Sequence, residues 1–223
     1  MSSVNIPGVG TLTSTALTPG QVNVILQALL LQCLGVTVDP TNALDPGFNF
    51  VRLDWPTPGQ PGFEVTDDQV FISALQTPDI YDEQSERQTS LNDDTSYTET
   101  RVYTRAWRIA LAFYGPNSSD NARQVKTCMN QTFVSDTLGA SELFLTFPLG
   151  TPVRAPEPFQ NQYWERTDFA FKLYEQVTET LVKPSIASVE IIIQDDAGNG
   201  SDQIIVFPGY GVGGYGAGAY GGL

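Results

Sequence analysis

The stretch "RVYTRAWRIALAFYGPNSSDNARQVK", Arg101 to Lys126, changes its period halfway along, and that change decides the class of fold. In its first half Tyr103, Trp107, Ile109, Leu111 and Phe113 are bulky, while the intervening Ala106, Ala110 and Ala112 are small. A period of two is the mark of a strand, and apolar residues on both sides predict a strand covered on both faces in its second half. Gly115 and Pro116 then make a corner. Beyond it Ala122, Val125, Met129 and Phe133 fall at i, i+3, i+7 and i+11, one apolar stripe of a helix that is expected to lie on the alanine face. Asn117 is placed to cap this helix, and Asp120 sits where a carboxylate favours the positive helix end. Arg123, Gln124 and Lys126 then form its wet side. The serines of this corner, Ser118 and Ser119, resemble a catalytic loop, but the chain has no histidine to act as their base.

Outward from this unit the same two periods recur. "LTPGQVNVILQALLLQCLG", Leu17 to Gly35, predicts a helix with Thr18 as N-cap, Pro19 in the first turn and Gly35 as the stop. Val22, Ile25, Leu26, Leu29 and Cys33 make one apolar face, and Val24, Ala28 and Leu31 make a second, weaker one. The second face fits either the inside of the subunit or a neighbouring subunit, so Val24 and Leu31 are candidate interface residues. A short strand is expected at Phe50 to Leu53 within the punctuated "NFVRLDWPTPGQPGF", and another at "QVFISAL", Gln69 to Leu75. The stretch Thr77 to Thr100 carries Asp79, Asp82, Glu83, Glu86, Asp93, Asp94 and Glu99 against Arg87 alone, and reads as a projecting arm or long hairpin.

Further on, "ERTDFAFKLYEQVTET" alternates Phe169, Phe171, Leu173 and Val177 with Asp168, Lys172, Gln176 and Thr178, a strand with one buried and one wet face. "SVEIIIQ" and "QIIVF" flank the hairpin loop "DDAGNGSD". The order of elements predicts an α+β fold in a single domain, residues 1–208. It has a mostly antiparallel sheet, helices packed on one face, and a flexible Gly/Tyr-rich tail at 209–223. Tyr210, Tyr215 and Tyr220 of that tail are candidate stacking contacts with a partner.

The 223 residues include 11 basic and 25 acidic side chains, a formal charge of −14, which argues against a surface that wraps nucleic acid. No run approaches the roughly 20 apolar residues of a membrane span, and "MSSVNIPGVG" lacks the layout of a signal peptide. Cys33 and Cys128 are expected as buried, reduced thiols. Gly211, Gly213 and Gly216 match a dinucleotide-binding spacing, but no helix pattern follows them. Asp195, Asp196 and Asp202 depart from the calcium-loop pattern and read as a solvated loop. Neither a cofactor nor a metal nor an enzymatic activity is expected.

The blocks "NFVRLDWPTPGQPGF", "RVYTRAWRIALAFYGPNSSDNARQVK" and "RAPEPFQNQYWERTDFAFKLYEQVTET" together resemble a family of bacteriophage neck or tail-terminator proteins, with "YGPNSSDNAR" and "WERTDF" the most specific strings. The resemblance runs from about Leu17 to Ile193 and leaves out the acidic excursion and the Gly/Tyr tail. It implies a structural virion protein assembled in the host cytoplasm. Its subunits would form a ring, typically a hexamer, at the head-tail junction. Such a ring terminates the tail tube and meets a connector or adaptor protein on the head side. DNA would pass through its channel without specific binding, and a wall of like charge would let it slide. The rival expectation, from the aromatic content and the tail, is a baseplate or fibre accessory module that binds a glycan or a host surface.

Overall fold

The computed structural model describes residues 2–6, 10–38, 46–53, 62–80, 84–93, 96–159, 162–184, 189–194 and 200–205. The elements, in order, are β1 (Ser2–Ile6), β2 (Gly10–Ser14), α1 (Pro19–Leu34), β3 (Val51–Leu53), β4 (Gln69–Thr77), β5 (Ser85–Asp93), β6 (Ser96–Tyr114), α2 (Ser118–Cys128) and α3 (Thr132–Gly139). They continue with β7 (Leu143–Leu145), β8 (Val153–Arg154), β9 (Glu157–Phe159), β10 (Gln162–Trp164), β11 (Arg166–Pro184), β12 (Val189–Gln194) and β13 (Gly200–Ile205). This is the α+β fold with a largely antiparallel sheet: β3 pairs with β4 in parallel, while β1 with β2, β2 with β11, β4 with β6, and β7 and β8 with β11 are antiparallel.

The chain groups into two compact units. The first takes Thr15–Glu86 and Val102–Thr178. Its sheet runs β11-β6-β4-β3, with β7 and β8 paired to β11. The alternation read in β6 is realised. Trp107, Ile109, Leu111 and Phe113 are buried, and they share one core with Val22, Leu26 and Leu29 of α1, Val125 of α2 and Val134 and Leu138 of α3. The registers Val70↔Phe113, Ile72↔Leu111 and Ala74↔Ile109 put the buried residues of β4 on that same face. Phe169, Phe171 and Leu173 of β11 also belong to this core. The three helices therefore cover the bulky face of β6. The expectation that the stripe Ala122–Val125–Met129 lies on the alanines is corrected: Ala110 and Ala112 are only half-buried and stand on the opposite face. Bulky side chains fill the space between sheet and helices better than methyl groups do, so burial of apolar area selects them.

Local chemistry sets the helix ends. The Thr18 side chain accepts from the Gln21 backbone N–H while Gln21 Oε1 accepts from the Thr18 N–H, a reciprocal capping box. Gly35, at φ 71°, ends α1 in the left-handed conformation that glycine adopts without strain. The stripe from Ala122 to Phe133 is split between α2 and α3 by a break at Met129–Gln131, where Asn130 Nδ2 donates to Lys126 O and closes the end of α2.

Two further sequence expectations are overturned here. Cys33 and Cys128 form a disulfide, with Cα atoms 5.6 Å apart. The physical reason is that the C-terminal ends of α1 and α2 pack together, where Gln124 Nε2 also donates to Cys33 O at 2.9 Å. Asn117 occupies the N-cap position but makes no side-chain cap bond. Its amide instead donates to Asp68 Oδ2 at 2.7 Å and its backbone N–H to Asp68 Oδ1 at 3.0 Å.

The second unit takes Ser2–Ser14, Arg87–Arg101 and the described residues from Glu179 onward, and its sheet runs β1-β2-β11-β6-β5. Within the acidic excursion β5 pairs with the start of β6, the hairpin that the length of the stretch implied. All of β5 is exposed. The basic groups Arg87, Arg101 and Lys183 each meet a carboxylate, Glu99 for Arg87 and Lys183 and Glu179 for Arg101. β12 and β13 pair as the predicted hairpin. Residues 195–199, with Asp195 and Asp196, lie outside the described residues, and Asp202 falls within β13.

Candidate functional site

The two strings that carry the family resemblance come together in space. Tyr114, at the end of β6, stacks edge-on against Trp164 of β10 with ring centroids 6.4 Å apart, and both meet Phe63, at 5.6 and 5.0 Å. Phe71 of β4 completes the cluster, 5.4 Å from Phe63 and 5.6 Å from Tyr114. The next residue, Gly115, donates its N–H to Glu165 O at 3.2 Å. It has φ 99°, and a Cβ there would stand 2.5 Å from Asp67 O, so the corner admits glycine alone. One turn on, Thr167 Oγ1 donates to Ser118 Oγ at 3.4 Å within the core. The serine that looked catalytic is a buried packing contact.

Charged groups close over this aromatic cluster. The Tyr114 hydroxyl donates to Glu157 Oε2 at 2.8 Å, and Arg166 donates to the same oxygen at 3.0 Å and to Asp168 at 2.7 and 3.2 Å. The Arg166 guanidinium also lies 5.6 Å from the Tyr114 ring centre. Burial, and next its bond to the Glu157 carboxylate, push the Tyr114 hydroxyl up to about 12. The Tyr114 and Arg166 hydrogen bonds hold Glu157 below the usual carboxylate range. Arg166 is raised, chiefly by Asp168. These shifts keep the tyrosine neutral and the arginine charged at any ordinary pH. The arrangement is therefore a fastening between the end of β6 and the strands β9 and β11.

A second fastening lies on the helix side of the sheet, and sequence reasoning missed it. Glu175 of β11 is 1% exposed, on the face where Phe169, Phe171, Leu173 and Val177 are buried. Its carboxylate accepts from the Leu17 N–H at 2.6 Å, from Arg105 at 2.7 to 3.2 Å and from Trp107 Nε1 at 2.7 Å. Arg105 Nη2 in turn donates to Leu17 O at 2.8 Å. The start of α1 is thereby tied to the middle of both long strands. The signal was present: Glu175 interrupts the odd-numbered apolar run Phe169, Phe171, Leu173 and Val177.

The opposite face of the same sheet has no helix on it among the described residues. There Phe71↔Ala112 and Leu75↔Arg108 in β4–β6, Tyr174↔Phe144 in β11–β7 and Asp168↔Val153 in β11–β8 point the same way. Leu75, Phe144 and Val153 are each about half exposed (57, 47 and 60%). Exposed apolar residues gathered on one sheet face mark an interaction surface more often than scattered ones do. Part of this face is an open groove of about 1050 Å³, lined by Ser85, Glu86, Tyr103, Phe144, Tyr174 and Gln176 among others. The Tyr174 hydroxyl donates from there to Asp79, which also meets Lys172.

The candidate interface residues of α1 fare differently. Val24 is 66% exposed, whereas Leu31, seven residues on, is 2% exposed and part of the core. They stand on one stripe of the helix, but only near its C-terminal end, where Cys33 is bonded to Cys128 of α2, is that stripe buried in its own subunit. Tyr210, Tyr215 and Tyr220 lie outside the described residues. No group of three or more metal-ligating side chains occurs among the described residues, and no described helix is long and apolar enough to cross a membrane.

Residues 21–200 match the model of a family described as phage neck terminator protein, well over half of the chain. The match spans both specific strings and the junction they form. No curated protein matches the chain.

Proposed function

This chain belongs to the phage neck terminator family, and on that premise we propose that it is a structural ring subunit of the virion neck. The ring, a hexamer in this reading, ends the tail tube and joins it to the connector or adaptor of the head, and it leaves a channel through which DNA passes. The observation that carries the ring is the helix-free face of the sheet. Leu75, Phe144 and Val153 stand out from it, and covering their apolar area is favourable by about 25 cal/mol per Å². Val24 on α1 supplies a second apolar contact of the kind a heterologous ring requires, because each subunit must offer two different surfaces. The acidic balance suits a DNA conduit, since like charge keeps the duplex from adhering to the wall. Subunits are taken to assemble in the host cytoplasm and to act in the virion.

Electron micrographs of the purified protein test the reading directly. Class averages are expected to show closed rings with a central channel. A monodisperse monomer at every concentration and salt would overturn it.

A further inference from the structure

We propose that the groove on the helix-free sheet face receives the Gly/Tyr-rich segment Phe207–Leu223 of a second copy of this chain, an inference that rests on the ring reading for its partner. The groove has an aromatic floor, Phe144 and Tyr174, with Phe144 47% exposed, and a rim of amide and hydroxyl groups that includes Ser85 and Gln176. Among the described residues Glu86 is the one charged side chain in its lining. Its volume, about 1050 Å³, is ample for a tyrosine ring with flanking backbone. The segment "FPGYGVGGYGAGAYGGL" has the matching chemistry: it has no charged side chain, three tyrosines five residues apart, and glycines that let its backbone approach a flat surface.

Charge decides why this segment is the one to cross between copies. Each chain carries −14, so two acidic surfaces repel as they approach. A segment with no charged side chain meets little of that repulsion, whatever carboxylates stand near the groove. At about 3.3 Å per residue its length extends roughly 55 Å, enough to reach a neighbouring subunit in a ring. Each copy then gives one segment and receives one, the head-to-tail exchange that a closed ring demands.

The test is a titration of a fluorescein-labelled synthetic peptide of residues 207–223 into the chain truncated after Pro208, read by anisotropy. Saturable binding is expected, weakened about tenfold or more by Phe144→Ser. Gln176→Trp, which adds bulk at an exposed groove position and removes nothing from the core, is expected to block binding as strongly. A peptide with all three tyrosines changed to Ser should likewise fail. Binding that is absent up to about 1 mM, or indifferent to both groove variants, overturns the proposal. A mixing experiment decides between neighbour and self. Full-length Gln176→Trp protein and truncated wild-type protein are expected to form one-to-one pairs with each other, neither pairing with itself and the mixture closing no ring. If the truncated protein alone forms the same rings as the full chain, exchange between copies is refuted while the ring reading stands. Rings missing from every form, with peptide binding intact, would instead sink the ring reading and leave the groove with its ligand.

Discussion

At the scale of single residues, the sheet is held by two polar nodes of very different depth. Glu175 is the deeper: its carboxylate satisfies three donors, Leu17 N–H, Arg105 and Trp107 Nε1, and is 1% exposed. Replacing it with Gln removes the charge opposite Arg105, whose side chain is only 16% exposed, and puts an NH2 where a donor must be accepted. Breaking a buried pair by removing one partner costs about 3–5 kcal/mol, so Glu175→Gln should lower the urea midpoint severely. The pair Arg101–Glu179, at 3.9 Å and 40 and 24% exposed, is the contrast. Arg101→Ala should shift stability by less than about 1 kcal/mol. The shallower node gives a pH dependence. A Tyr114 hydroxyl raised to about 12 favours the protonated form in the folded state, so its contribution is complete below about pH 10 and is lost as pH rises from there through about 12. Glu157, held low, contributes above its unfolded pKa and loses that contribution as pH falls through the folded value. Spectrophotometric titration at alkaline pH should show one tyrosine ionising late, and Tyr114→Phe should abolish that late step while flattening the alkaline loss of stability. If Tyr114 ionises with the bulk of the tyrosines, the junction is looser than its geometry requires.

At the scale of elements, the corner after β6 shows where sequence reasoning succeeds and where it stops. That Gly115 and Pro116 end a strand and α2 follows was legible, because periodicity and turn chemistry are local. That Asn117 would reach Asp68 was not, because Asp68 lies forty-nine positions away and the bond depends on how the loop before β4 folds back. The two roles separate experimentally. Asn117→Ala should cost about 0.5–1.5 kcal/mol in chemical denaturation, the net worth of a lost hydrogen bond. Asn117→Ser should cost nearly as much, whereas a true N-cap would tolerate Ser almost freely. Full rescue by Ser would restore the capping account. The same limit applied to the other misreadings. The face of β6 that meets α2 and the bond between Cys33 and Cys128, 95 residues apart, are both consequences of tertiary packing. Glu175 was hidden for a different reason: alternation marks a buried position, and a carboxylate there is read as an exception until its partners are known. Of the candidate site, Val24 and the recognisable strings could be named in advance. The helix-free sheet face and its groove could not, since they depend on which face the helices choose.

At the scale of the whole molecule, assembly must be separated from folding, and α1 supplies the means. Val24 and Leu31 belong to one stripe of one helix, so composition and local propensity treat them alike. The subunit encloses only Leu31. Truncating Leu31 to Ala removes methyl groups from a close-packed core and should cost about 2–5 kcal/mol of stability, with any loss of rings following from loss of fold. Changing Val24 to Asp removes no buried contact within the subunit, so thermal and urea transitions should stay within about 0.5 kcal/mol of the parent. A carboxylate pressed against a neighbour that is itself acidic is unfavourable through both desolvation and like-charge repulsion. If the chain assembles into the proposed ring, Val24→Asp should therefore yield a folded monomer by light scattering under the conditions where the parent assembles. Raised salt should restore part of the assembly by screening the repulsion, while the desolvation part persists. A Val24→Asp protein that assembles as the parent does would remove α1 from the ring contact and leave the helix-free sheet face to carry it alone.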